Sequence, residues 1–230
     1  MLRAVLAACL LLTVHGVRAE LKADYRFQND LHSAIAGAPD LAPVASGTAF
    51  ATEVVQCNPA RKVLTFPAGA GLALTPMNAL LPDTGVYTVL FLVRYDVVTG
   101  FRKYLDFKNG TADNGLYVTN GALTFYNVST SQDAPITTGY VDVGLRRDAY
   151  GHVTGYLDGV PKVQAADAGN NLGVVDANSV WRFFVDDNGG SEHSSGAVAR
   201  IRVWDTALSD TELQLADFAE CVTVFNDGFE

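Results

Sequence analysis

The stretch Tyr87–Tyr95 is apolar at nearly every position and rich in β-branched and aromatic residues. A strand with two apolar faces has no side to give to water, so it belongs in the middle of a sheet covered by packed layers. Other segments alternate. In Leu21–Phe27, residues Leu21, Ala23, Tyr25 and Phe27 fall on one face; in Ala197–Val203, residues Ala197, Ala199, Ile201 and Val203 oppose Arg200 and Arg202. Each pattern predicts a strand with one wet face. Three turn signals connect such runs: Asn120-Gly121 between Leu116–Thr119 and Ala122–Tyr126, Asp158-Gly159 after Gly155–Leu157, and Asp148–Gly151 between Val141–Arg147 and His152–Leu157. Asn-Gly and Asp-Gly supply the positive φ that tight hairpin turns need. Successive hairpins predict an all-β chain of antiparallel sheets. One helix is signalled: Ser209 with Glu212 forms a capping box, Asp210 sits in the first turn, and Leu213, Leu215 and Ala216 are available for burial, which predicts a helix over Asp210–Asp217.

The first residues carry one early cation (Arg3), an apolar run from Ala4 to Val14, and Val17-Arg18-Ala19 as a cleavage signal. They read as a signal peptide over 1–19, cut before Glu20, which predicts a secreted or periplasmic protein without membrane insertion. The competing reading is a lipid-attachment box, Leu6-Ala7-Ala8-Cys9, which would strand Leu10–Val14 on the mature surface. Loss of Arg3 and Arg18 makes the formal charge of −9 two units more negative. Such a chain repels phosphate backbones and anionic lipid, so nucleic acid is not an expected partner. The mature length suits one domain, Glu20–Cys221, followed by the tail 222–230. Two cysteines survive cleavage, Cys57 and Cys221. In an oxidising compartment they are expected to form one disulfide, the alternative being two unpaired thiols.

Several segments resemble one family: Tyr104-Leu-Asp-Phe-Lys-Asn, Asp113-Asn-Gly-Leu-Tyr-Val, Gly121-Ala-Leu-Thr-Phe-Tyr, the run from Arg147 to Gly159, Arg182-Phe-Phe-Val-Asp-Asp-Asn, and above all Arg200 to Leu213. Together they are similar to bacterial laminin G-like domains of the concanavalin A-like superfamily, over roughly Ala23 to Ala216. The resemblance implies a two-sheet jelly roll that binds carbohydrate or protein, often beside a calcium ion. It implies no reaction, since one fold hosts many functions. Val224-Phe-Asn-Asp-Gly-Phe-Glu resembles a tail found on exported proteins of some Gram-negative bacteria.

No catalytic constellation is visible. The mature glutamates (Glu20, Glu53, Glu192, Glu212, Glu220 and Glu230) do not form the paired-carboxylate strand that glycoside hydrolysis uses, and the histidines lack metal-ligand spacing. The richest polar cluster is Asp186-Asp187-Asn188-Gly189-Gly190-Ser191-Glu192-His193. Its oxygens suit a hard cation, which makes Asp186, Asp187 and Glu192 candidate calcium ligands; the alternative is a solvated turn. Asn109–Gly115 is a second polar loop of the same kind. A sugar site needs an aromatic platform beside hydrogen-bonding groups. Trp204, sharing a strand face with Arg200 and Arg202, is the candidate exposed platform, with Trp181 and the tyrosines behind it and core packing as the alternative. The expected function is a secreted, non-catalytic recognition module for a glycan or an extracellular protein, with calcium as its possible cofactor. A structural or adhesive envelope protein and a polysaccharide-cleaving enzyme are the alternatives.

Overall fold

The computed structural model describes residues 19–56, 60–169 and 171–222, with side chains through 217. The strands are β1 (Leu21–Tyr25), β2 (Leu41–Pro43), β3 (Ala49–Val54), β4 (Ala60–Phe66), β5 (Leu72–Leu74), β6 (Tyr87–Tyr95), β7 (Phe101–Asp106) and β8 (Gly115–Thr119). They continue with β9 (Ala122–Tyr126), β10 (Ser129–Thr130), β11 (Val141–Arg147), β12 (His152–Leu157), β13 (Val160–Ala166), β14 (Trp181–Phe183) and β15 (Gly196–Trp204) before helix α1 (Asp210–Val222). Every pairing is antiparallel. An eight-stranded sheet runs β13-β12-β11-β6-β15-β4-β3, with β1 added to β15; a seven-stranded sheet runs β10-β9-β8-β7-β14-β5-β2. The chain is a two-sheet β-sandwich, as its hairpin density predicts. No helix among the described residues is long and apolar enough to cross a membrane.

β6 shows why its sequence is apolar on both faces. Tyr87, Val89, Phe91, Val93 and Tyr95 enter the core between the sheets. Leu90 and Leu92 point the other way, into two smaller clusters on the outer face of the larger sheet. One of these lies beneath α1, where Leu90, Tyr156, Trp204, Leu208 and Leu213 pack together. The hairpin turns form as their dipeptides require: Asn120 and Gly121 have φ of 51° and 85°, and Asp158 and Gly159 have 48° and 70°. The capping box also forms, with the Ser209 amide donating to Glu212 Oε2 at 2.7 Å and the Glu212 amide to Ser209 Oγ at 3.3 Å.

Four expectations need correction. A bulge between Val198 and Arg200 breaks the alternation of β15, so Val198, Ile201 and Val203 enter the core while Ala197 and Ala199 turn outward. A second bulge in β1 sends Leu21 to the cluster under α1, while Ala23, Tyr25 and Phe27 enter the core. Helix α1 runs on past Asp217 to Val222. Leu215 does not pack beside Leu213; it is 64% exposed.

The expected Cys57–Cys221 disulfide and the signal peptide through Arg18 lie outside the described residues and side chains. Their described neighbours meet at one turn. Gln56 Nε2 donates to Asp158 Oδ1 at 3.4 Å, and Gln214 and Asp217 of α1 lie against Gly159.

Candidate functional site

The outer face of the seven-stranded sheet carries the site. Alternation along β8 and β9 sends Leu116, Val118, Leu123 and Phe125 into the core, which leaves Tyr117, Thr119, Thr124 and Tyr126 on the opposite face. The register sets Phe101 opposite Thr119, Lys103 opposite Tyr117, and Tyr117 opposite Thr124. β7 bulges between Lys103 and Leu105. Tyr104 and Leu105 therefore both enter the core, and Lys103 and Asp106 share the outer face although three positions separate them.

At one end of this face Phe101, Thr119, Thr124, Tyr126, Asn127 and Thr130 line a shallow cavity of about 270 Å³. Phe101 is 36% exposed and Tyr126 is half-buried. Their ring centroids lie 5.7 Å apart, and each meets the buried Tyr117 ring, at 6.1 Å and 5.7 Å. Two partly exposed rings beside hydroxyl and amide groups match the apolar face and polar edge of a pyranose.

Next to this cavity lies a buried ammonium. Lys103 Nζ is fully covered and stands 3.1 Å from Asp186 Oδ1, 3.6 Å from Asp106 Oδ2, 3.7 Å from Asp113 Oδ1 and 3.9 Å from Asp187 Oδ1. It also lies 5.1 Å from the Tyr117 ring centroid, and the Tyr117 hydroxyl donates to Asp113 Oδ1 at 2.6 Å. The backbone locks the arrangement. The Lys103 amide donates to the Glu192 carbonyl at 2.8 Å, the Glu192 amide to Asp186 Oδ2 at 2.8 Å, and the Asn188 amide to the Gly110 carbonyl at 2.8 Å. Gly190 is required by close approach, since a Cβ there would collide with Asp186 Oδ2.

The carboxylates differ in their surroundings. Burial pushes Asp186 upward, but the amides of Glu192 and Asp187 and the Lys103 ammonium outweigh it and hold this carboxyl below the usual carboxylate range. Burial, then the charge of Asp186, raises Glu192; burial and a hydrogen bond with Asp186 raise Asp187. Burial also raises Asp106, against the pull of the Gly110 amide and Lys103.

Of the candidate calcium ligands, Asp186 and Glu192 come together, with Asp113 of the second polar loop as the third member: carboxylate oxygens of these three lie within 4.8 Å of one another. Asp187 faces the ammonium from farther out, with its side chain 30% exposed. The two polar loops are separate in sequence, and only the sheet brings them side by side.

The candidate platform is covered rather than exposed. Trp204 is only 8% exposed, packed under α1 with the Arg202 guanidinium 5.6 Å from its ring. It shares the outer face with Arg200 and Arg202 as predicted, but that face is covered by the helix. Arg202 donates to the Ala216 carbonyl at 2.8 Å and pairs with Asp142 at 3.5 Å; Arg200 pairs with the buried Asp24 at 2.7 Å. Trp181 is fully buried in the main core. Phe101 carried no signal apart from sharing a strand face with Lys103, and Tyr126 none apart from its alternation with Phe125.

No protein-family model and no curated protein matches the sequence. In fold, the chain is similar to domain 4 of AbnA, a GH43 extracellular arabinanase from Geobacillus stearothermophilus solved in complex with arabinotriose. The two are 17% identical with a TM-score of 0.61, over 85% of this chain and 97% of that one. It is also similar to the binding domain of Paraclostridial Mosquitocidal Protein 1 (13% identity, TM-score 0.62, 87% of this chain and 52% of that one). A third similar structure is the receptor binding domain of botulinum neurotoxin C/D mosaic serotype (12% identity, TM-score 0.59, 88% and 52%). The chain spans about half the length of these two toxin structures. At such identities the likeness establishes the β-sandwich alone.

Proposed function

We propose that this protein is an exported, non-catalytic recognition module that holds a glycan on the outer face of its seven-stranded sheet. The observation that carries the reading is the cavity where the Phe101 and Tyr126 rings stand beside the exposed Asn127 amide and Thr130 hydroxyl. The arabinotriose complex of the arabinanase domain supports it as an example of a similar sandwich holding a sugar.

The cation of this site, on the same reading, is the Lys103 ammonium rather than calcium. Calcium takes roughly six to eight oxygens in direct contact. Here the carboxylates of Asp113 and Asp186 already face Nζ at 3.7 Å and 3.1 Å, so a dication among them would be set against a buried positive charge. The opposite displacements of Asp186 and Glu192 are the one feature that favours a sugar-cleaving pair. Asp186, however, is only 2% exposed and already accepts from the Glu192 amide, so its carboxylate has no path to a sugar carbon.

Calorimetric titration with neutral oligosaccharides tests the site. Phe101→Ala and Tyr126→Ala are each expected to weaken binding about tenfold, and together to abolish it, because each removes a stacking surface. An unchanged affinity in the double variant would remove this cavity from the reading. An absence of binding across a broad glycan panel would instead favour a structural or adhesive envelope protein.

Export and the Cys57–Cys221 disulfide belong to the same proposal, supported by the signal pattern of residues 1–19 and by the meeting of Gln56, Gln214 and Asp217 at one turn. The intact mass of unreduced secreted protein is expected to correspond to a chain that starts at Glu20 and lacks the two hydrogens a disulfide removes. A mass with both thiol hydrogens present would exclude the bridge.

A further inference from the structure

We infer that this site selects its glycan by charge, ranking an oligosaccharide with free amino groups above its neutral counterpart and both above an acidic one of equal length. The inference rests on the glycan reading above and names the ligand class of the same site. Tyr117 connects the two halves of the outer face. Its ring packs against Phe101 and Tyr126, and its hydroxyl ends on Asp113, so the carboxylate lies about one ring beyond the cavity wall. Asp113 is half exposed, Asp187 is 30% exposed, and Glu192 is partly exposed beside them.

The cations beside the carboxylates are buried. Lys103 has no exposed surface, and four carboxylates surround it. Arg182 is buried and donates to Asn188 Oδ1 at 3.0 Å, whereas Arg102 is partly exposed, with its guanidinium donating to the Phe101 carbonyl at 2.8 Å. The accessible carboxylates of Asp113, Asp187 and Glu192 outnumber this one accessible guanidinium, so the site presents net negative charge to a ligand. Screening lengthens from about 8 Å at physiological ionic strength to about 30 Å at about 0.01 M salt, so at low salt the carboxylate is felt by a charge on a sugar held in the cavity. A protonated amino group is attracted by that charge at a distance and by the faces of two rings. A uronate or sialyl carboxylate meets like charge instead.

The test compares glucosamine, N-acetylglucosamine and galacturonate oligomers of one length by titration calorimetry, at low and at high salt. The amino oligomer is expected to bind about tenfold more tightly than the acidic one at low salt, with the neutral one between them and the spread narrowing as salt rises. Asp113→Asn with Glu192→Gln should collapse that ratio, with thermal melts confirming a folded variant. Equal affinities for all three oligomers would overturn the charge inference and leave the glycan reading standing. A ranking that survives in the Asp113→Asn/Glu192→Gln variant would overturn it. So would one that persists in the Phe101→Ala/Tyr126→Ala variant, since attraction to the acidic chain at large would then explain it. If no oligomer of any charge binds, the glycan reading fails and takes this inference with it.

Discussion

Lys103→Met is expected to lower the unfolding free energy at pH 7 by about 3–5 kcal/mol, the usual cost of removing one partner from a buried charge cluster. Methionine nearly preserves the volume, so packing changes little and the loss reports on charge. The variant leaves Asp106, Asp113, Asp186 and Asp187 facing one another around the vacated position, with Asp106 and Asp186 almost completely buried. Acid should reverse part of the loss. A carboxyl raised in the folded state binds protons more tightly there than in the unfolded chain, so its penalty is full above the folded pKa and disappears below the unfolded value near about 4. Asp106, Asp187 and Glu192 are raised already, and loss of the ammonium that opposes burial moves them further in that direction. The deficit in urea unfolding should therefore shrink as pH falls from 7 toward 5. Calcium separates the two possible cations of the site. Millimolar Ca²⁺ is expected to leave the thermal midpoint of the native protein unmoved and to raise that of Lys103→Met, since only the variant offers carboxylates without a resident cation. A native midpoint that rises with calcium and falls with chelator would restore the ion to the site. A variant as stable as the native protein at pH 7 would show that the cluster does not depend on the ammonium.

Trp204→Ala is expected to cost about 3–5 kcal/mol of stability and to leave glycan affinity unchanged. The side chain is part of the cluster that holds α1 to the larger sheet, with Leu90, Tyr156, Leu208 and Leu213 around it. Truncation leaves a cavity that two sheet residues and a helix cannot easily fill, because β6 and β12 are both held in place by neighbours on each side. Denaturant unfolding measures the first effect and oligosaccharide titration the second. Loss of glycan binding with stability retained would return Trp204 to the role of platform that its strand position suggests.

The contrast between these two residues marks how far the sequence could be read. Face assignment is local, and for Trp204 it held: Arg200, Arg202 and Trp204 do share the face opposite Ile201 and Val203. Exposure is not local. Whether that face meets water depends on where α1 docks, and the apolar positions of the helix identify a buried side without naming its partner. Leu90 and Leu92 held the missing hint, because a central strand with an apolar outer face requires a cover on that side.

The sequence by itself determined the all-β class, the central place of β6, the glycine-dependent hairpin turns and the capped start of α1. Each depends on residues within a few positions of one another, where periodicity, φ preference and side-chain capping act directly. The tertiary structure alone decided the site. A single extra residue in β7 turns Asp106 to the same face as Lys103, and sheet order then brings Asp113, Asp186 and Asp187 from two distant loops around one lysine, with Glu192 beside Asp113 and Asp186. Nothing in the composition of either loop specifies the other, because their meeting is enforced by the strand pairing of β7 with β8 and β14. A one-residue shift in that register would send Lys103 into the core and disperse the carboxylates, so the chemistry of this face is a property of the pairing rather than of any segment.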